Sequence, residues 1–166
     1  MQDNIGRSKF KQSRMLRYPS EKQSEIWLKR RQGMLPSKIA DQLDVTRAFV
    51  SKSLRTAETR IRHLMEHTAH INRVQVHHIS SFHGFAVGYS GAFKSETIIT
   101  YSPRIGVQVW FGHDGDCASC QDSDDCVKLL EVLASEWNVP LNRNAAPTKV
   151  ANIVFKAIQQ SLKWVD

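Results

Sequence analysis

All three cysteines of this 166-residue chain lie within His113-Asp-Gly-Asp-Cys117-Ala-Ser-Cys120-Gln-Asp-Ser-Asp-Asp-Cys126. The spacing is His-x3-Cys-x2-Cys-x5-Cys. Two thiols separated by two residues can both turn sulfur toward one metal, and the third is near enough to complete a face of the site without closing a long loop. Cysteines packed into one short segment cannot staple a secreted domain, so a reducing, cytoplasmic location is expected. Cys126 falls in the first turn of a helix expected from about Asp124, and a helix N-terminus favours the thiolate, the form that binds metal. Two metal chemistries fit. One is Zn2+ held by three Cys and one His, with His113 as the fourth ligand. The other is a 4Fe-4S cluster held by Cys117, Cys120 and Cys126 with an exchangeable or non-cysteine fourth ligand, a composition suited to reaction with oxidants. Zinc more often uses two Cys-x2-Cys knuckles and only one exists here. The segment also carries Asp114, Asp116, Asp122, Asp124 and Asp125, whose charge lowers a cluster's reduction potential. The iron–sulfur reading is therefore favoured, with Zn2+ as the alternative and a metal-free, reversible dithiol kept open.

The Cys-x2-Cys-x5-Cys run is similar to that of oxygen-sensing regulators of the fumarate-nitrate-reduction type. The likeness covers only these ten residues, and it implies a cluster that reads redox state.

The remaining histidines offer weaker chemistry. His63, His67 and His70 share one face of an expected helix, a spacing that binds metal in helical His pairs and otherwise makes a polar, solvent-facing stripe. His77, His78 and His83 are expected in a linker, where one of them could supply a remote ligand. Together these six could make an interface pH-sensitive. No phosphate-binding glycine loop, Gly-x-Ser-x-Gly or His-Glu-x-x-His occurs, so the chain is not expected to be an enzyme.

Charge points to a second activity. Lys and Arg number 23 against 16 Asp and Glu, and the excess sits in one half. Residues 1–66 hold 15 basic and 7 acidic side chains, a net of +8, whereas residues 67–166 hold 8 and 9, a net of −1. A basic half joined to a near-neutral half fits a polyanion binder coupled to something else, or a basic face that serves solubility. No apolar run is long enough to cross a bilayer, and the N-terminus lacks the apolar stretch of a secretion signal.

The elements that must position these residues follow from caps and periodicity. Residues 1–17 read as a basic arm. Ser20 and Gln23 form a capping-box signal for a first helix, with Ile26, Trp27 and the stem of Arg30 facing inward and Gly33 ending it. Pro36 starts a short second helix, Asp44-Val45 makes a turn, and Thr46 caps a third helix running to about residue 72. Ile39, Ala40, Leu43, Val45, Val50 and Leu54 fill the packing positions of a helix-turn-helix over residues 36–55. In that motif the second helix enters the major groove of DNA, so Thr46, Arg47, Ala48, Phe49, Ser51, Lys52 and Arg55 are the expected contacts. Arg47 suits the O6 and N7 of guanine, Ala48 a thymine methyl, and Lys52 and Arg55 bases or phosphates.

The strings Tyr18-Pro-Ser-Glu-Lys-Gln, Ser37-Lys-Ile-Ala-Asp-Gln-Leu and Val45-Thr-Arg-Ala-Phe-Val-Ser51 resemble the Tfx-type archaeal DNA-binding proteins. They are more distantly similar to the helix-turn-helix of LuxR-type and sigma-region-four modules. The resemblance spans about residues 16–72 and implies a transcription regulator, with Ser37 added to the DNA-contacting set.

Beyond Leu54 the third helix repeats apolar or small residues at Ala57, Ile61, Leu64, Thr68 and Ile71. That stripe is expected to meet the second half or a second subunit, and a homodimer is expected because two half-sites double the contacts. Gly84–Tyr89, Glu96–Tyr101 and Ile105–Phe111 read as antiparallel strands, and Asp124–Trp137 and Pro147–Trp164 as helices. The expectation is thus an α+β chain: arm 1–17, helix-turn-helix domain 18–72, and a small antiparallel-sheet-plus-helix sensor domain over 73–166. It would act as a redox-sensing regulator on double-stranded DNA, away from membranes. Two rivals remain. In one, zinc is structural and the second half binds a small molecule. In the other, a nucleic-acid binder is fused to a sulfur-handling or electron-transfer domain.

Overall fold

The structure, a computed structural model, describes residues 16–165, so the arm expected over residues 1–17 lies outside the described residues except for Leu16 and Arg17. The described chain is α+β, with five helices and one four-stranded antiparallel sheet. Helices α1 (Glu21–Arg31), α2 (Pro36–Leu43) and α3 (Arg47–Ile71) come first. Strands β1 (Val74–Ser80), β2 (Phe85–Ser90), β3 (Ser95–Ser102) and β4 (Gly106–Phe111) follow as a meander, neighbours in sequence being neighbours in the sheet. Helices α4 (Ser123–Trp137) and α5 (Pro147–Ser161) close the fold. No helix among the described residues is long and apolar enough to cross a membrane.

The helix starts follow their caps. Gln23 N–H donates to Ser20 Oγ at 3.3 Å while Ser20 N–H donates to Gln23 Oε1 at 3.0 Å, the reciprocal pair that satisfies two orphan donors of α1. Asp44 takes the left-handed conformation at the end of α2 (φ 51°, ψ 50°), and Val45 N–H closes back on Ala40 O at 3.0 Å. A short-side-chain residue tolerates that conformation well enough to stand where glycine is usual.

The sheet is covered on both faces. Ala86, Ile99 and Tyr101 pack with Trp27 of α1 and with Ala57, Ile61, Met65 and Ala69 of α3. On the opposite face, Phe85, Val87, Ile98 and Trp110 pack with Leu130 and Leu133 of α4 and with Val154, Phe155 and Ile158 of α5. Strand alternation sends successive side chains to these two cores. A third, smaller cluster of Ile26, Ile39, Ala40 and Val50, with Leu43, Val45 and Leu54 packed against it, joins α1 and α2 to the first turns of α3. Helix α3 therefore has two tasks along its 25 residues: its first turns pack on α2, and its later turns lie on the sheet.

Several expectations are corrected. His77 and His78, expected in a linker, lie within β1. Its alternation is broken by polar Gln75, His77 and His78 and by a register shift between Val76 and His78, which leaves His77 as a bulge. Next to that irregularity, a Cβ on Gly88 would collide with the Gln75 carbonyl, so only glycine lets β2 approach β1 so closely. The apolar stripe of α3 turns away from Ile71, which is 62% exposed, and continues through Met65 and Ala69. Helix α5 ends at Ser161 rather than Trp164, because Lys163 turns left-handed at φ 57°.

Candidate nucleic-acid interface and thiol pocket

Thr46 opens α3 by accepting the Phe49 N–H at 3.0 Å. That cap replaces one missing intrahelical bond and fixes the direction of the first turn. Val50, Ser53 and Ala57 turn inward, so Thr46, Arg47, Ala48, Phe49, Ser51, Lys52 and Arg55 all remain exposed. Ser37, at the start of α2, is half-buried. Phe49 is 44% exposed, a large aromatic among cations. No ion pair among the described residues engages Lys38, Arg47, Lys52 or Arg55. The neighbouring cations differ: Lys29 lies 4.0 Å from Glu25, and Arg31 is buried against Glu136. Among the described residues the first turns of α3 thus present cations without ion-pair partners, with helix N–H groups pointing the same way.

The second candidate lies on the loop between β4 and α4. His113, Asp116, Cys117, Cys120, Cys126 and Thr148 line one cavity of about 160 Å³, floored by Trp110. Short-range bonds curl the loop around it: Ala118 N–H donates to Asp116 Oδ1 at 3.0 Å, Cys120 N–H to Cys117 O at 3.3 Å, and Ser123 N–H to Cys120 O at 3.3 Å. Cys126 enters α4 with its N–H on Asp122 O at 3.0 Å. Cys117 Sγ lies 3.6 Å from the Thr148 hydroxyl at the start of α5. The His113 ring stacks on Trp110 (5.6 Å, 28°). Its Nδ1 is 2.8 Å from Phe111 O. A carbonyl can only accept, so Nδ1 carries a proton, and in the neutral ring the lone pair is on Nε2.

All four ligand candidates therefore border one cavity, and the three cysteines are free thiols. Among the described residues, however, no three His, Cys, Asp or Glu side chains converge closely enough to hold an ion as they stand. The donor chemistry fits a thiophilic metal, and rotation of exposed Cys120 and half-buried Cys117 and Cys126 about their side-chain bonds is the movement such binding requires. The expected lowering of the Cys126 thiol is corrected. Burial pushes its pKa up, and Cys120, Asp122, Cys117 and Asp125 raise it further. Desolvation and nearby negative charge outweigh the partial positive charge of the helix end.

The other histidines separate. His63, His67 and His70 border a shallow groove of about 630 Å³ beside Leu16, Arg17 and Arg60, with Glu66 between them. His78 stacks on Trp164 and His83 on Trp137. Neither faces the thiol pocket. Trp110 and Thr148 belong to that pocket and carried no signal in the sequence: one reads as an ordinary strand residue, the other as a helix-start residue. No protein-family model, curated protein or solved structure matches the chain.

Proposed function

We propose that the chain is a DNA-binding transcription regulator in which α2 and the first turns of α3 act as a helix-turn-helix on double-stranded DNA. The thiol pocket is its redox-sensing site. The observation that carries this reading is the set of exposed cations on the opening turns of a capped helix, Arg47, Lys52 and Arg55, with Lys38 exposed on α2, none of them in an ion pair among the described residues. Phosphate contacts from such groups supply affinity, and Arg47 and Ala48 at the helix start are placed to meet base edges.

Cys117, Cys120 and Cys126 are the proposed holders of a 4Fe-4S cluster, which would supply an oxidant-sensitive centre. The exposure of Cys120 supports this, because it leaves the pocket open to small oxidants. A second reading is zinc bound by three Cys and His113. It is favoured by the bond from His113 Nδ1 to the Phe111 carbonyl, since that is how a metal-binding imidazole is usually oriented from behind. Under either reading, α4 carries the signal. Cys126 sits in its first turns, and Glu136 in its last turn grips Arg31 of the DNA-binding layer.

The test is purification without oxygen, followed by visible absorption and by iron, sulfide and zinc content. DNA binding is then measured before and after exposure to air. Iron with matching sulfide, and DNA affinity that changes several-fold as the cluster is lost, supports the first reading. One zinc per chain selects the second. Absence of salt-dependent DNA binding in every state sinks the regulator reading altogether.

A further inference from the structure

The outer edge of the sheet at β4 is a regular six-residue strand that carries no charge, proline or bulge. Gly112 N–H donates to Glu96 O at 2.8 Å, and the β3–β4 register pairs Trp110 with Ile98, Gln108 with Thr100 and Gly106 with Ser102. In an antiparallel ladder, bonded and non-bonded pairs alternate. The backbone groups of Gly106, Gln108 and Trp110 therefore face β3, and those of Val107, Val109 and Phe111 face away from the sheet. Among the described residues, their carbonyls and N–H groups form a row with one side-chain partner, the His113 Nδ1–H on Phe111 O. No Lys, Arg, Asp or Glu occurs between Ile105 and Gly112. No register shift interrupts the strand. The opposite edge is guarded: β1 carries the bulge at His77, and Trp164 stacks on His78 at 5.2 Å. Proteins blunt edges they leave in water with charge, proline or bulges, and β4 has none of these.

We propose that β4 pairs with β4 of a second copy of this chain, in antiparallel register about a twofold axis, to make one continuous eight-stranded sheet. Three features select a second copy over another partner. An antiparallel edge about a twofold pairs with itself, so the same outward row supplies both donors and acceptors. The uncharged edge brings no like charges together. The twofold also runs perpendicular to the sheet, which puts the α3 layers of both copies on the same side. The last point rests on the DNA reading above, which needs two recognition helices facing one duplex.

The test is the self-association of the full-length chain and of Val109→Pro, measured by analytical ultracentrifugation. Residue 109 directs its N–H outward, so proline removes an intermolecular donor and crowds the partner strand while the β3–β4 ladder keeps its bonds. The expected result is a dimeric parent and a Val109→Pro variant whose self-association is at least tenfold weaker. A monomeric parent at micromolar concentration overturns the proposal, as does a folded Val109→Pro that dimerises like the parent. If the variant fails to fold, hydrogen exchange on the parent decides. Slow, concentration-dependent exchange at the Val107, Val109 and Phe111 amides supports pairing, and fast exchange at all three overturns it. Binding of both proteins to a mixed-sequence duplex is followed in parallel. A dimer that ignores DNA keeps the interface and removes the regulator reading, and a DNA-binding monomer does the reverse.

Discussion

Arg31 Nη2 donates to Glu136 Oε2 across 2.9 Å, and the two side chains are only 3% and 4% exposed. The guanidinium lies between the rings of Trp27 and Trp137, each about 5.0 Å away, and its other contacts include the His83 and Glu136 carbonyls. Glu136 Oε1 accepts the Ser102 hydroxyl at 2.6 Å. Burial lowers the Arg31 pKa, and the Glu136 charge and hydrogen bond oppose that shift. The pair joins α1 to α4 past the strand ends, where β3 finishes at Ser102 and the β1–β2 turn carries His83. Removing one partner leaves the other charge buried alone, so Glu136→Ala should destabilise by about 3–5 kcal/mol. The double change Arg31→Met with Glu136→Leu keeps the volume without the charges and should recover much of that loss. Urea denaturation of the three proteins checks both statements, and a Glu136→Ala variant as stable as the parent would refute the first.

His83 makes stability depend on pH. Its Nδ1 is 2.9 Å from Ser80 Oγ, its ring stacks on Trp137, and burial followed by the Arg31 charge lowers its pKa. The unfolded chain therefore binds a proton more readily than the folded one. Stability rises with pH wherever the unfolded state holds more protons. The contribution is complete above the ordinary histidine pKa of about 6.5 and is lost as pH falls from there toward the folded value. Melting at pH 5 and pH 7.5, chosen as roughly bracketing that range, should show a smaller acid loss for His83→Gln than for the parent.

Local signals made much of this fold legible. The Ser20–Gln23 box, Pro36, the Asp44 turn and the Thr46 cap are contacts between residues close in the chain, and each appears where the sequence places it. The gathering of His113, Cys117, Cys120 and Cys126 around one cavity is also short-range. Strand β1 was illegible because its bulge breaks the two-residue period that identifies a strand. Arg31 was illegible for a different reason. It ends a basic run of α1 and reads as a solvated cation, and its partner lies 105 residues away. The same holds for α3, whose later turns meet a sheet made from residues far along the chain.

The cations at the start of α3 divide by position. Arg47 and Ala48 occupy its first two positions, and Lys52 and Arg55 lie one to two turns on. If the first turn meets bases, Arg47→Ala should cost about 1–3 kcal/mol on a preferred site and narrow the gap to random duplex. Lys52→Ala and Arg55→Ala should weaken all duplexes alike, each reducing the slope of log K against log salt by about 1. Val50 lies between these groups and is fully buried, so none of the three changes should move the melting temperature appreciably. Fluorescence-anisotropy titrations at several salt concentrations measure the slopes. Equal slopes in all variants would remove this helix from the interface.

The thiol pocket should take up metal more tightly as pH rises. Cys126 is held in its protonated form by burial and by neighbouring negative groups, Cys120 and Asp122 foremost. A metal binds the thiolate, so loading must expel that proton, and acid competes with the metal for the sulfur. Because the Cys126 pKa is raised, this competition persists to higher pH than for an ordinary thiol. A chelator-buffered Zn2+ titration should therefore give tighter binding at pH 8 than at pH 6.5, two values spanning about one and a half units below the usual thiol range, with protons released on loading. Cys126→Ser should weaken binding and reduce that release. His113→Ala should separate the two metals. Loss of Nε2 removes a whole zinc ligand, so zinc affinity falls by an order of magnitude or more, about the scale on which ligand-shell changes act. A cluster held by the three sulfurs should keep its iron and sulfide in the same variant. Zinc affinity unchanged by either substitution would mean that the metal sits elsewhere.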